Sequence, residues 1–130
     1  MKIVGLITEY NPFHNGHLYH IEEAKRRTGA DAAVVVMSGD YVQRGTPAIM
    51  PKRLRAEMAL KCGAAAVFEL PLCYATGSAE LFALGAVSLL DRLGIVDFLC
   101  FGSECGDLSA LEKAASVLSE EPGEYRSLLR

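Results

Sequence analysis

The sequence predicts an α/β protein with a Rossmann-like, doubly wound parallel sheet, and three observations predict it. Short apolar runs alternate with stretches of helical periodicity along the chain. Each run is apolar almost throughout rather than at every second residue, which suits strands covered by helices on both faces. Glycine or proline stands near most junctions, where a parallel sheet must turn into and out of its crossover helices. The 130 residues, 51% of them hydrophobic, are enough for one real core, so residues 1–130 are expected to form a single domain.

Lys2 to Ile7 reads as the first buried strand. Leu18, Ile21 and Ala24 then recur at helical spacing, with Glu22, Glu23, Lys25, Arg26 and Arg27 turned to water, Asn15 as the expected N-cap and Gly29 as the stop. Ala32 to Met37 is the second strand, followed by a polar loop, Ser38 to Met50, longer than the usual connection of about 4–6 residues. Pro51 suits the first position of a helix running through about Cys62 and closed by Gly63. Ala65 to Leu70 is the third strand, ended by Pro71. Ser78 caps the next helix, whose Leu81, Leu84, Val87, Leu89, Leu90 and Leu93 spread over a wide arc before Gly94. Ile95 to Phe101 supplies the fourth strand. Ser109 and Glu112 match a capping box for a last helix to about Ser119, with Asp107 as the competing cap. Glu120 to Gly123 should break it.

Charge and cysteine content narrow the function classes. A net charge of −3 and an isoelectric point near 5.6 exclude a domain that is basic overall, so a nucleic-acid partner requires a local patch or another domain. Cys62, Cys73, Cys100 and Cys105 form no C-x-x-C pair, and the chain opens without a signal-peptide pattern, which predicts a reduced, cytoplasmic setting. No apolar run approaches the roughly 20 residues of a membrane helix, so no membrane partner is expected.

The chemistry concentrates in His14-Asn15-Gly16-His17, an H-x-G-H turn between the first strand and the first helix. Helix N-termini attract anions through unpaired N–H groups and the dipole, and glycine allows close approach. Imidazoles there add donors that stabilise negative charge growing on a pentacoordinate phosphorus, with no nucleophilic side chain required. In a doubly wound sheet ligands sit at the carboxyl ends of the strands. The loops after Ile7, Met37, Leu70 and Phe101 should therefore converge, bringing His14 and His17 together with the Ser38–Thr46 loop and Gly102-Ser103-Glu104. A metal site at His14, His17 and His20 is disfavoured, since their spacing does not place all three on one tight face and no carboxylate or thiolate pair joins them.

Longer motifs carry a specific resemblance over the whole chain. Gly5-Leu6-Ile7-Thr8-Glu9-Tyr10-Asn11-Pro12-Phe13 leads into His14-Asn15-Gly16-His17; Ser38-Gly39-Asp40-Tyr41-Val42-Gln43-Arg44-Gly45, Glu69-Leu70-Pro71 and Phe101-Gly102-Ser103-Glu104 follow. With these motifs the chain resembles the N-terminal part of the bacterial tRNA(Met) cytidine acetate ligases, of the H-x-G-H nucleotidyltransferase superfamily. The resemblance implies that ATP and acetate form acetyl-adenylate and pyrophosphate, after which the acetyl group passes to the exocyclic amine of the wobble cytidine in elongator tRNA(Met), giving N4-acetylcytidine. It also implies an ATP site, with magnesium accompanying the nucleotide, made by Ile7, Thr8, Glu9, Tyr10, Asn11, Pro12, Phe13, His14, Asn15, Gly16, His17, Leu18, Tyr19 and His20, together with Gly102. His14 and His17 would be the catalytic pair, donating to triphosphate oxygens as pyrophosphate leaves.

On the same footing, Thr8 and Asn11 are expected to fix phosphate or carboxylate, Glu104 a ribose hydroxyl, and Arg44 a phosphate or acetate. Lys52, Arg53 and Arg55 read as a solvated helix face rather than a tRNA-binding patch, Asp40 as a turn residue, and Cys100 and Cys105 as buried thiols. Members of this family are considerably longer. The chain is therefore expected to be an N-terminal fragment, with tRNA contacts mostly outside it, and Glu124 to Arg130 to open a further helix. Two alternatives differ in class: a nucleotidyltransferase acting on a phosphorylated metabolite, and a non-catalytic nucleotide-binding module.

Overall fold

The computed structural model describes residues 1–120. The expected break beyond Glu120 and the helix expected to open at Glu124 lie outside them. Four parallel strands, β1 (Ile3–Thr8), β2 (Ala32–Ser38), β3 (Ala66–Leu70) and β4 (Phe98–Leu99), form one sheet in the order β3-β2-β1-β4. The helices are α1 (Asn15–Thr28), α2 (Lys52–Lys61), α3 (Leu72–Ala75), α4 (Ala79–Arg92) and α5 (Leu108–Glu120).

Side-chain alternation in β2 divides the core. Ala33, Val35 and Met37 join Val4, Leu6, Tyr10, Ile21 and Ala59 on the side of α1 and α2. Val34 and Val36 join Ile3, Leu70, Ala86 and Leu90 on the side of α3 and α4. The strand order runs outward from β1 to β3, then returns past β1 to β4. Right-handed crossovers place the helices of the outward and returning paths on opposite faces, which makes the sheet doubly wound. The reversal point lies between β1 and β4, and their following loops carry the H-x-G-H turn and Gly102.

Several boundaries differ from the sequence expectation for identifiable reasons. The N-cap of α1 is His14 rather than Asn15: its backbone is extended (φ −145°, ψ 175°) and its imidazole accepts from the Gly16 amide. Gly29 closes this helix in the left-handed region (φ 64°). Pro51 is the N-cap of α2 rather than its first residue. The short α3, unanticipated, follows Pro71, while Ser78 caps α4 as expected by accepting from the Leu81 amide. For α5 the competing cap holds, since Asp107 Oδ1 accepts from the Ala110 amide at 3.2 Å.

The largest difference is β4, expected over Ile95–Phe101 but only two residues long. Asp97 is the reason at its start: its carboxylate, rather than a strand carbonyl, accepts from the Ile3 amide at 2.7 Å. Cys100 still donates to the Gly5 carbonyl at 3.1 Å, but Ile95, Leu99 and Phe101 remain 52%, 45% and 55% exposed. No described residue of α5 is buried. Among the described residues, no helix is long and apolar enough to cross a membrane.

Candidate functional site

The H-x-G-H turn folds into a reciprocal cap. His14 Nδ1 accepts from the Gly16 amide at 3.1 Å, and His17 Nδ1 accepts from the His14 amide at 3.2 Å. The rings stack, with centroids 3.7 Å apart and planes 22° from parallel. An Nδ1 that accepts an N–H carries no proton, so each imidazole is assigned the neutral Nε2–H tautomer. Burial, followed by the neighbouring His14 and His20, holds the His17 pKa below its ordinary value and preserves the neutral form. The turn therefore differs in one respect from the simple picture of free amides facing an anion. The His14 and Gly16 amides are engaged by imidazoles, and the Nε2–H groups replace them as donors.

Tyr10 and Phe13 pack against the His17 ring. Tyr10 lies edge-on to both Phe13 and His17, each at 4.8 Å between centroids, and is itself 1% exposed. Burial pushes its phenol up to about 12, keeping it protonated. Thr8 lies close enough to oppose that shift, yet neither Thr8 Oγ1 nor the Tyr10 hydroxyl makes a hydrogen bond of ordinary geometry with another described residue.

Two cavities adjoin at His20. One, of about 340 Å³, is lined by Ile7, Thr8, Glu9, Tyr10, Asn11, Pro12, His14, His17 and His20. The other, of about 470 Å³, lies between α1 and the segment after β4, lined by residues including Tyr19, His20, Arg27, Leu99, Cys100, Phe101, Gly102, Ser103, Leu108 and Leu111. The first is polar and carries the histidine donors; the second is largely apolar. His20 Nε2 is buried in their shared wall without a hydrogen-bond partner among the described residues, and burial lowers the His20 pKa. At Gly102 a Cβ would meet nothing within 4 Å, so the space above its Cα is open.

Of the residues expected around the nucleotide, Ile7 to Pro12, His14, His17, Tyr19, His20 and Gly102 line one cavity or the other. Phe13, Asn15, Gly16 and Leu18 do not, Phe13 because it packs on Tyr10 and Gly16 because it serves the cap. The expected third side is not brought in. Arg44 and the rest of the Ser38–Thr46 loop line neither cavity, and neither does Glu104. The loop is instead strapped to the chain leading into the turn: the Gln43 amide donates to Glu9 Oε1 at 2.8 Å and the Ile49 amide to Asn11 Oδ1 at 2.7 Å.

Three side chains have roles that the sequence did not disclose. Asp40 Oδ1 accepts from the Lys52 amide at 2.9 Å, so Asp40 serves the start of α2 from twelve residues away rather than only shaping a turn. Glu69 pairs with Lys52 at 2.8 Å and packs against Gly39, where an added Cβ would collide with its carboxylate oxygen. Arg55, expected on a solvated face, is fully buried, with its guanidinium directed to backbone carbonyls. Arg53 does stand exposed, paired with Glu57. Cys105, expected to be buried, is exposed beside Ser103 on the loop before α5.

Known proteins can be set beside this geometry. Residues 1–130 match the HIGH Nucleotidyl Transferase family. The chain is 58% identical over 130 residues to a tRNA(Met) cytidine acetate ligase of Acetivibrio thermocellus and 58% identical to one of Thermoanaerobacter sp. (strain X514). All of this chain is matched in both, but only 31% and 32% of those relatives, so the chain spans about a third of their length. Among solved structures, that of Thermotoga maritima TmcAL bound with alpha-thio ATP superposes with a TM-score of 0.91 at 48% identity, covering 98% of this chain and 31% of that one.

Proposed function

The chain belongs to the HIGH Nucleotidyl Transferase family, and from that premise we propose that it forms the ATP-binding domain of a tRNA(Met) cytidine acetate ligase. The reading is supported most by one observation. His14 and His17 each use Nδ1 to close the helix cap, which leaves two neutral Nε2–H donors on residues that line the polar cavity.

In this reading the triphosphate lies against the H-x-G-H turn and the nucleoside extends past His20 toward Gly102. Acetate attacks the α-phosphorus, the bond to the bridging oxygen breaks, and pyrophosphate leaves with that oxygen. The imidazole N–H groups donate to the phosphate oxygens as charge builds on them, and the dipole of α1 acts in the same direction. Neutral donors preset by a cap need little reorganisation, which is how electrostatic preorganisation lowers a barrier. Magnesium would enter with the triphosphate. Glu9 is the one carboxylate lining that cavity, with Oε1 already engaged by Gln43. The acetyl group of acetyl-adenylate then passes to the exocyclic amine of the wobble cytidine, with AMP leaving. Contact with elongator tRNA(Met) is assigned to the part of the longer relatives that this chain does not span, and the setting is cytoplasmic.

The test is exchange of labelled pyrophosphate into ATP by the intact protein. Acetate-dependent exchange is expected. Exchange that ignores acetate and requires a phosphomonoester would make the protein a nucleotidyltransferase of metabolites. Calorimetry that detects no ATP binding by the folded protein would remove the nucleotide site itself.

A further inference from the structure

Arg55 is a buried charged group beside the candidate site whose role the proposed function does not explain. It lies on α2, lines neither cavity and is 0% exposed, yet no carboxylate among the described residues pairs with it. Its Nη1 donates to the carbonyls of Glu9 at 2.5 Å and Ser38 at 3.2 Å, its Nη2 to the carbonyl of Gly39, and its Nε to the carbonyl of Met50 at 3.0 Å. Four carbonyls from the ends of β1 and β2 and from both ends of the following loop thus meet on one planar fork. Lysine, a single point donor on a flexible stem, cannot reproduce that fork. Burial lowers the Arg55 pKa while Asp40, Glu9 and Glu69 oppose it, and the guanidinium stays charged at neutral pH.

The fork acts on the same segment as the two straps. Glu9 gives its carbonyl to Arg55 and its carboxylate to the Gln43 amide, and Asn11 takes the Ile49 amide. The segment Thr8–Asn11 is one wall of the polar cavity. Its shape is therefore fixed from behind by a loop that does not itself reach the cavity.

We propose that Arg55 is a positioning residue that couples the order of the loop between β2 and α2 to nucleotide binding at the H-x-G-H turn. This rests on the ATP-site reading above. Coupling is reciprocal: if the ordered loop strengthens ATP binding, ATP must strengthen the order of the loop. The Gln43 and Ile49 amides report that order directly, because each has a side-chain acceptor on the cavity wall.

Hydrogen–deuterium exchange of the intact wild-type protein, with and without ATP, provides the test. Slowed exchange at Gln43 and Ile49, at positions that line neither cavity, is expected. Protection at Gly16 and His17 without any change at Gln43 and Ile49 would overturn the coupling while leaving the ATP site standing. No protection anywhere would instead remove the ATP-site reading on which the coupling rests, and the coupling with it. Arg55→Lys adds a second arm: ATP affinity should fall about tenfold or more, with faster exchange at both amides. A merely structural Arg55 would lower the melting temperature and leave the affinity of the folded protein unchanged. If Arg55→Lys does not fold, the wild-type exchange result decides alone.

Discussion

The two cavities of the candidate site are built to different standards. Around the polar one, the β1–α1 segment is held by Arg55, by the Glu9 and Asn11 straps, by the His14–His17 cap and by the Tyr10–Phe13 pair. Around the apolar one, β4 pairs with β1 over two residues, Leu99 and Phe101 are about half exposed, and α5 presents Leu108, Val117 and Leu118 to solvent. Donors for a phosphate work only when preset in direction, whereas an apolar wall tolerates displacement because its attraction is not directional. The difference teaches that, among the described residues, hydrogen-bond bracing is concentrated where bond directions matter.

The contrast can be broken most severely at Arg55. Arg55→Met leaves several buried carbonyls without donors, and urea denaturation should read a loss of about 3–4 kcal/mol. A loss below about 1 kcal/mol would mean that the polar side is not held as described. Next comes His17, where function and cap can be separated. His17→Ala should lower acetate-dependent exchange by about 10²–10³-fold, the effect of losing one preset donor. It should also cost about 1 kcal/mol of helix capping. His17→Gln restores an acceptor for the His14 amide and should recover most of that stability but not the rate.

On the apolar side, Gly102→Val should change stability by less than about 0.5 kcal/mol, because the space is open. It should still weaken ATP binding, roughly tenfold, by occupying the nucleoside's place. Titration gives a smaller effect confined to the polar side. The folded state holds His17 and His20 below the ordinary 6.5, so the unfolded chain takes up their protons first as pH falls. Stability is therefore full above that value and declines as pH drops below it, and His17→Gln should flatten the decline in pH-dependent melting curves. Least of all, Val117→Ser on α5 should leave stability within about 0.5 kcal/mol, as calorimetric melting would show.

Most of the fold was legible because its signals are local. The apolar runs marked β1, β2 and β3 to within a residue or two, and Gly29 and Ser78 marked helix ends by the same conformational needs that the structure displays. The place of the H-x-G-H turn between β1 and α1 was legible, although which residue caps α1 was not, because histidine is an uncommon N-cap and Asn15 a common one. The role of the second loop was not legible, and the three-sided crevice expected from the sequence does not form. Whether the second loop lines the cavity or braces it depends on where its amides find acceptors, and those acceptors sit on Glu9 and Asn11, more than thirty residues earlier.

By itself the sequence determined the alternation of strands and helices, the doubly wound class, the position of the histidine turn and the family to which the chain belongs. Each of these rests on residue spacing within a turn or two, or on motifs read in order. Only the tertiary structure decided that Arg55 is buried, that Asp40 serves α2, that β4 is short and that the long loop stands behind the site. The reason is physical. Burial of a charge is decided by the carbonyls it meets, and those of Glu9, Ser38 and Gly39 lie 46, 17 and 16 residues from Arg55 along the chain. No local periodicity carries that distance.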